Sequence, residues 1–165
     1  MRELVIKRAE KSDHILLSDI AFTAKRYWKY PEKYFNIWQK ELTITPGYIF
    51  ENIVYKSVFQ GKITGFYSIV ENKNDYNKGN IFVQKGFWLE HRFVLPSFHK
   101  KGIGRELINH AKSVCIRKDI DRLLIFVDPY AKGFYEKIGA EYLYDSPSSI
   151  QGRNIPVYLL IVQTS

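Results

Sequence analysis

The chain has 165 residues, a mass of 19.5 kDa and a net charge of +8, from 25 Lys and Arg against 17 Asp and Glu. An apolar share of 45% and an aromatic share of 16% exclude a disordered or collagen-like chain and suffice for the core of one domain. A single cysteine, Cys115, excludes an internal disulfide and a cysteine-rich zinc site. No apolar run reaches the roughly 18 residues of a membrane span, and residues 1–8 lack the apolar stretch and cleavage site of a secretory signal. The expectation is one domain over residues 1–165, cytoplasmic and reduced, with no metal and no membrane. The positive excess favours an anionic partner without choosing among nucleic acid, membrane surface and phosphorylated cofactor.

Residues 4–6 read as a short strand, and Ser12 or Asp13 is placed to cap a helix carrying Ile15, Leu16, Ile20 and Ala24. Pro31 opens a second helical stretch with Tyr34, Ile37, Trp38 and Leu42 at helical spacing, and Thr45-Pro46 pairs a cap with a first-turn proline. The pattern changes near Ile53. Residues 53–59 and 63–70 are β-rich and joined through Gln60-Gly61-Lys62, a hairpin signal. After a polar stretch, one long strand is expected over residues 81–95, stopped by Pro96, with Gly86 marking a bulge or bend. Leu107, Ile108, Ala111, Val114 and Cys115 then share one helical face, which makes Cys115 a core residue rather than a nucleophile. Residues 122–127 read as a buried strand, residues 130–138 as a short helix ended by Gly139, and residues 142–144 and 156–162 as the last strands. The order predicts a mixed α/β fold with helices on both faces of one central sheet.

The richest segment is Val94-Leu95-Pro96-Ser97-Phe98-His99-Lys100-Lys101-Gly102-Ile103-Gly104-Arg105. It reads as a strand end, a basic glycine-containing turn and a helix start. A helix N-terminus offers unpaired N–H groups and partial positive charge to a phosphate. Gly102 and Gly104 let the backbone approach a pyrophosphate with no Cβ in the way, and Lys100, Lys101 and Arg105 add charge. A P-loop is excluded because Ile103-Gly104-Arg105 follows Gly102, and the dinucleotide fingerprint because Leu107 stands where its third small residue belongs.

His99-Lys100-Lys101-Gly102-Ile103-Gly104 resembles the acyl-CoA motif Arg/Gln-x-x-Gly-x-Gly/Ala of the GCN5-related N-acetyltransferase (GNAT) superfamily, and Val94-Leu95-Pro96 resembles the Val-x-Pro that precedes it. About thirty residues on, Asp128-Pro129-Tyr130-Ala131-Lys132-Gly133-Phe134-Tyr135-Glu136-Lys137-Ile138-Gly139-Ala140 is similar to the family's Asn-x-x-Ala-x-x-Phe-Tyr-x-Lys-x-Gly-Phe. The two motifs keep the family's order and spacing. His99 departs from the usual Arg or Gln, and Asp128 from the usual Asn. The resemblance implies a mostly antiparallel twisted sheet with helices on both faces, acetyl-CoA as co-substrate, and an amine of a small molecule or peptide as acceptor. It implies cofactor contacts at His99, Lys100, Lys101, Gly102, Ile103, Gly104, Arg105, Asp128, Ala131 and Tyr135, and at the N–H groups of Phe93, Val94 and Leu95, where two strands splay.

Transfer to an amine needs a base, because an alkyl ammonium is only about one part in 10³ neutral at pH 7. The resemblance points to Glu90 on the strand before the turn, with a surface or salt-bridged glutamate, or His91 after a change of parity, as alternatives. It assigns Tyr135 as the proton donor to the departing thiolate, against a core tyrosine. Tyr27, Trp28, Tyr30 and Tyr34 can line an acceptor pocket or simply pack, and residues 147–156 can close over the acceptor or form a dimer contact. Arg153 in that segment can pair with a substrate carboxylate or lie idle on the surface. The leading expectation is direct acetyl transfer without a covalent enzyme intermediate. The alternative is a non-catalytic acyl-CoA-binding or regulatory domain of the same fold. No recognised Gly-aromatic RNA motif supports a nucleic-acid partner.

Overall fold

A computed structural model describes Glu3–Gln163. The strands are β1 (Leu4–Arg8), β2 (Ile53–Phe59), β3 (Lys62–Asn72), β4 (Tyr76–Lys78), β5 (Ile81–Val83), β6 (Gly86–Val94), β7 (Arg122–Phe126), β8 (Glu141–Pro147) and β9 (Asn154–Ile161). The helices are α1 (His14–Arg26), α2 (Glu32–Leu42), α3 (Pro46–Glu51), α4 (Ile103–Arg117) and α5 (Lys132–Lys137). Seven strands form one sheet in the order β1-β2-β3-β6-β7-β9-β8, while β4 and β5 form a separate two-stranded ribbon. The pairs β1/β2, β2/β3, β7/β9 and β8/β9 are antiparallel and β6/β7 is parallel. The fold is thus the expected mixed α/β class, a mostly antiparallel sheet flanked by helices. The chain forms two compact units. One holds the chain as far as Ile69 with His91–Ala111, the other Val70–Glu90 with the chain from Lys112 onward.

In the first unit the β2–β3 hairpin turns on Gln60 and Gly61, both at positive φ (55° and 73°), the two-residue turn that matches strand twist. Thr45 caps α3 by accepting from the Tyr48 N–H at 3.0 Å, as Thr45-Pro46 predicts. The α1 face differs from expectation. Leu17, Ile20, Ala21 and Ala24 are buried, whereas Ile15 and Leu16 are exposed. Three consecutive apolar residues at 15–17 leave the helical phase ambiguous in sequence, and packing selects Leu17. In α2 the buried side is Phe35, Trp38 and Leu42, and Ile37 is exposed. Asp13 caps its turn by accepting from the Glu10 N–H and also receives the Lys56 ammonium at 2.6 Å, a buried ion pair joining the start of α1 to β2.

In the second unit the single strand expected over 81–95 is broken. β5 pairs with β4, the Lys85 N–H donates to Asp75, and the main sheet takes up the chain again at Gly86, at φ 136°. Trp88 sits in a cluster with Val83, Leu124 and Val157, stacked on Phe126 at 4.5 Å, with its indole N–H donated to the Gln84 carbonyl. That cluster locks the N-terminal half of β6 onto β7.

The C-terminal half of β6 is held differently. Between Ser57/Gly65 and Val58/Ile63 the β2–β3 register shifts by a bulge at Thr64. The Thr64 carbonyl then accepts from the Leu95 N–H at 2.8 Å. A Cβ on Gly65 would fall 2.6 Å from the Phe93 carbonyl oxygen and 3.3 Å from the Val94 Cα. Glycine there lets the β3 backbone lie against β6. Gly65→Ala is expected to cost about 1–3 kcal/mol, the range for forced overpacking, read as a lower urea midpoint. A variant as stable as the parent would show that the two strands part without penalty.

Candidate functional site

The basic turn begins where β6 ends. Pro96–Phe98 form one 3-10 turn, closed by Phe98 and His99 N–H groups donating to the Leu95 and Pro96 carbonyls. Lys100 (φ 62°) and Gly102 (φ 78°) then take left-handed conformations, and α4 runs for 15 residues from Ile103. The Glu106 N–H donates to the Gly102 carbonyl at 3.0 Å, so the helix ladder begins there and leaves the N–H groups of Gly102 to Arg105 outside it. Ile103 is buried and anchors the helix start, while Lys100, Lys101, Gly102 and Arg105 are exposed. Only Gly102 needs glycine for its backbone, since Gly104 is helical. A Cβ on Gly102 would meet no atom within 4 Å, so its demand is conformational and the space before it is open. His99 packs edge-on against Tyr27 at 5.1 Å, and Tyr27 against Trp28 at 4.8 Å. It therefore meets the end of α1, a contact with no signal in the sequence.

Along β6, alternation puts Trp88, Glu90 and Arg92 on one face and Leu89, His91 and Phe93 on the other. Stacking of His91 on Phe93 (5.7 Å, 30°) agrees with this parity. Glu90 is exposed. His91 lies among aromatic rings, with Phe66 at 6.2 Å and Tyr48 at 5.9 Å, and the Tyr48 hydroxyl is bonded to Ser68 at 2.8 Å. Sequence separation hides this cluster. Successive N–H groups of an extended strand point to opposite edges. With the Leu95 N–H engaged by Thr64 of β3, the Val94 N–H points away from β3.

In the second unit, Trp88 opposite Leu124 fixes β6 and β7 as parallel, so Glu90 and Phe126 lie two residues further along in the same direction. The chain then reaches Asp128, whose carboxylate accepts from the Tyr130 N–H at 3.0 Å and whose carbonyl accepts from the Ala131 N–H at 2.7 Å. Asp128 thus starts the 3-10 turn Pro129–Ala131 before α5. Tyr135 is buried on α5, edge-on to Phe134 at 5.2 Å, and its carbonyl accepts from the Ala140 N–H past Gly139 at φ 96°. Tyr158 donates to Glu136 at 2.6 Å, and burial together with that carboxylate pushes its phenol up to about 12. The Val127 N–H donates to the Pro156 carbonyl at 2.9 Å. Glu90, Asp128 and the start of β9 therefore share one end of this unit's strands. Among the described residues, no cluster of three His, Cys, Asp or Glu could hold a metal, and no helix is long and apolar enough to cross a membrane.

Residues 43–149 match the family model described as the acetyltransferase (GNAT) domain. Curated proteins gave no match. Solved structures gave many. A GCN5-related N-acetyltransferase from Rhodopseudomonas palustris superposes with a TM-score of 0.74 at 14% identity, over 95% of this chain and 94% of that one. The PaiA N-acetyltransferase of Thermoplasma acidophilum, solved with coenzyme A, gives 0.71 at 16% over 96% and 99%. A GNAT-family acetyltransferase of Brucella melitensis, solved with acetyl-CoA, gives 0.63 at 15% over 99% and 91%. At these identities the superpositions establish the fold.

Cys115 lies on the core face of α4 with none of its surface exposed, and burial raises its thiol from 9.0 to about 11. At pH 8 such a shift lowers the thiolate fraction about a hundredfold. The native thiol is expected to be inert to a disulfide reagent at pH 8 and to react promptly in denaturant; rapid native labelling would contradict this burial. Because the folded thiol resists ionising, stability is expected to be full below pH 9 and to fall as pH rises from 9 towards 11.

Proposed function

The chain belongs to the GNAT acetyltransferase family, and from that premise we propose that it moves an acetyl group from acetyl-CoA directly to a primary amine of a small molecule or peptide. The observation that carries the reading is the strand–turn–helix at Val94 to Arg105. There, left-handed Lys100 and Gly102 open a 15-residue helix whose first N–H groups lie outside the helix ladder. That is an anion site by construction. The coenzyme A and acetyl-CoA held by two similar structures support the same donor here.

In the first unit, the N–H groups of Gly102 to Arg105 bind the pyrophosphate, and Lys100, Lys101 and Arg105 add charge. Ile103 anchors the turn. His99 holds its place against Tyr27 rather than serving as a long donor. The Val94 N–H, turned away from β3, polarises the thioester carbonyl, and Phe93 and Leu95 keep that peptide in place. In the second unit, Glu90 takes the ammonium proton, directly or through water, which frees the nitrogen lone pair. Asp128 and Ala131 shape the turn that presents α5.

The nitrogen bonds to the carbonyl carbon as the C=O π pair moves onto oxygen. That pair returns, the C–S bond breaks, and the sulfur leaves with its electrons. Tyr135 gives the sulfur a proton and regains one from solvent, while the nitrogen loses its second proton. The products are the amide, free CoA and one net proton. No covalent enzyme intermediate is needed. The reading takes the chain as one catalytic domain working in the cytoplasm.

Three variants test this. Gly102→Val, which cannot hold φ 78° without strain, is expected to weaken CoA binding at least tenfold by calorimetry; unchanged affinity in a folded variant would remove the phosphate from this turn. Tyr135→Phe is expected to lower kcat by about 10²–10⁴ with acetyl-CoA affinity held, while Glu90→Gln slows turnover mainly at low pH. Normal turnover in either variant would hand that role to solvent. CoA binding with no thiol release for any amine would leave a regulatory acyl-CoA-binding domain.

A further inference from the structure

We propose that Tyr158 is a positioning residue for the acid step: through Glu136 it sets the roll of α5 and so the bearing of the Tyr135 hydroxyl. The inference rests on the acetyltransferase reading above and deepens it, adding a second tyrosine to the protonation of the departing thiolate. The Tyr135 O–H proton passes to the sulfur and is replaced from solvent, while Tyr158 keeps its own.

The first ground is that Tyr158 is itself immobilised. It lies on β9 opposite Ile125 of β7 on one side and Tyr142 of β8 on the other, its ring edge-on to Tyr142 at 5.8 Å and 1% of its surface exposed. Its hydroxyl donates to the Glu136 carboxylate at 2.6 Å. A phenol–carboxylate bond of that length is charge-assisted, roughly twice as strong as a neutral one. Burial first and the carboxylate second hold the phenol up at about 12, so Tyr158 remains a donor at any pH near neutrality.

The second ground is what α5 lacks without it. The helix has six residues, too few to persist on its own ladder. Its two ends are tied by local bonds. The Tyr130 and Ala131 N–H groups donate to Asp128 before it, and the Gly139 and Ala140 N–H groups donate to the Glu136 and Tyr135 carbonyls after it, at 3.1 and 3.0 Å. Such bonds hold a helix along its length and leave roll about its axis as the soft motion. The bond from Tyr158 comes from the sheet to the side of the helix, and it opposes roll.

The third ground is adjacency. Neighbouring residues of a helix point about 100° apart, so fixing the Glu136 carboxylate also fixes the bearing of Tyr135. The lever is long. A phenol oxygen stands roughly 8 Å from the helix axis, so a roll of about 10° carries it by about 1.4 Å. A misplacement of that size in a reacting group costs on the order of 10²-fold in rate. Any buried phenol needs an acceptor; this one takes its acceptor from the residue beside the proposed acid.

The test is CoA thiol release by the full chain at saturating acetyl-CoA, with spermidine, lysine and phenethylamine as acceptors, fold checked by melting curves and acetyl-CoA affinity by calorimetry. Tyr158→Phe keeps the ring and deletes the donor. It should lower kcat about 10- to 100-fold and leave acetyl-CoA affinity and acceptor KM within about twofold of the parent. Glu136→Leu should do the same, whereas Glu136→Gln, whose amide oxygen still accepts, should stay within about threefold of the parent kcat. In a Tyr135→Phe background, Tyr158→Phe should change kcat less than about twofold, because no hydroxyl is left to aim. Parental kcat in a folded Tyr158→Phe would overturn the inference. So would an equal loss in the Tyr135→Phe background, the mark of general damage to packing, or parental turnover by Tyr135→Phe itself. Each of these leaves acetyl transfer standing. If Tyr158→Phe melts too low to assay, the exposed position 136 carries the comparison, and equal rates for Glu136→Leu and Glu136→Gln would overturn the inference. No release by the parent with any of the three amines would overturn it as well, and acetyl-CoA calorimetry on the same protein would then show whether the donor site falls with it.

Discussion

The position of the basic turn in the first unit depends on how closely β3 lies against β6. Gly65 removes the side chain that would strike the Phe93 carbonyl, and the bulged Thr64 offers its carbonyl to Leu95. The bond to Leu95 fixes the direction of each neighbouring peptide, because N–H groups alternate along an extended chain. It also fixes where Pro96 can begin its turn, and hence where α4 begins. A helix start made of backbone N–H groups has no side chain to adjust its reach. Its position is only as good as the strand that delivers it.

Much of the architecture was legible because it follows from local chemistry. The hairpin at Gln60-Gly61, the cap and proline at Thr45-Pro46, and the apolar face running through Leu107, Ala111 and Cys115 each declare themselves within a short window. The failures have equally local causes. Ile15, Leu16 and Leu17 fit more than one helical phase, and only packing shows that the first two face water. Residues 81–95 read as one strand because every residue in the run tolerates extension. The break comes from Asp75 and from the Trp88 indole reaching back to Gln84, partners that a β pattern does not reveal. The buried pair of Asp13 and Lys56 was invisible for the same reason, its members standing 43 positions apart.

The site divides along the same line. The glycine-bearing turn was readable, since Gly102 does take a conformation that disfavours other residues, although Lys100 takes one as well. Left-handed lysine is not a pattern that sequence announces, because its cost is of order 1 kcal/mol and can be met by the surrounding turn. Where the chain departs from its family, the structure gives each residue a local occupation. His99 packs on Tyr27, and Asp128 caps its own turn. Neither occupation could be read from the motif, because a motif records which residues stand in order and not what each leans against.

The strand order of the second unit bears on how the chain acquires its shape in time. β9, made after both β7 and β8, is inserted between them. Until it arrives, β7 lacks its antiparallel neighbour and β8 has no place in the main sheet. Newly made β7, with Leu123, Leu124 and Ile125 destined for the interior, must wait with apolar surface exposed while some thirty further residues are synthesised. Pairings between strands distant in sequence are slow and aggregation-prone. The first unit has no such wait, since all its segments exist once Ala111 has been made. Synthesis thus favours an order in which the basic turn at Lys100 to Arg105 can form before the β8–β9 hairpin.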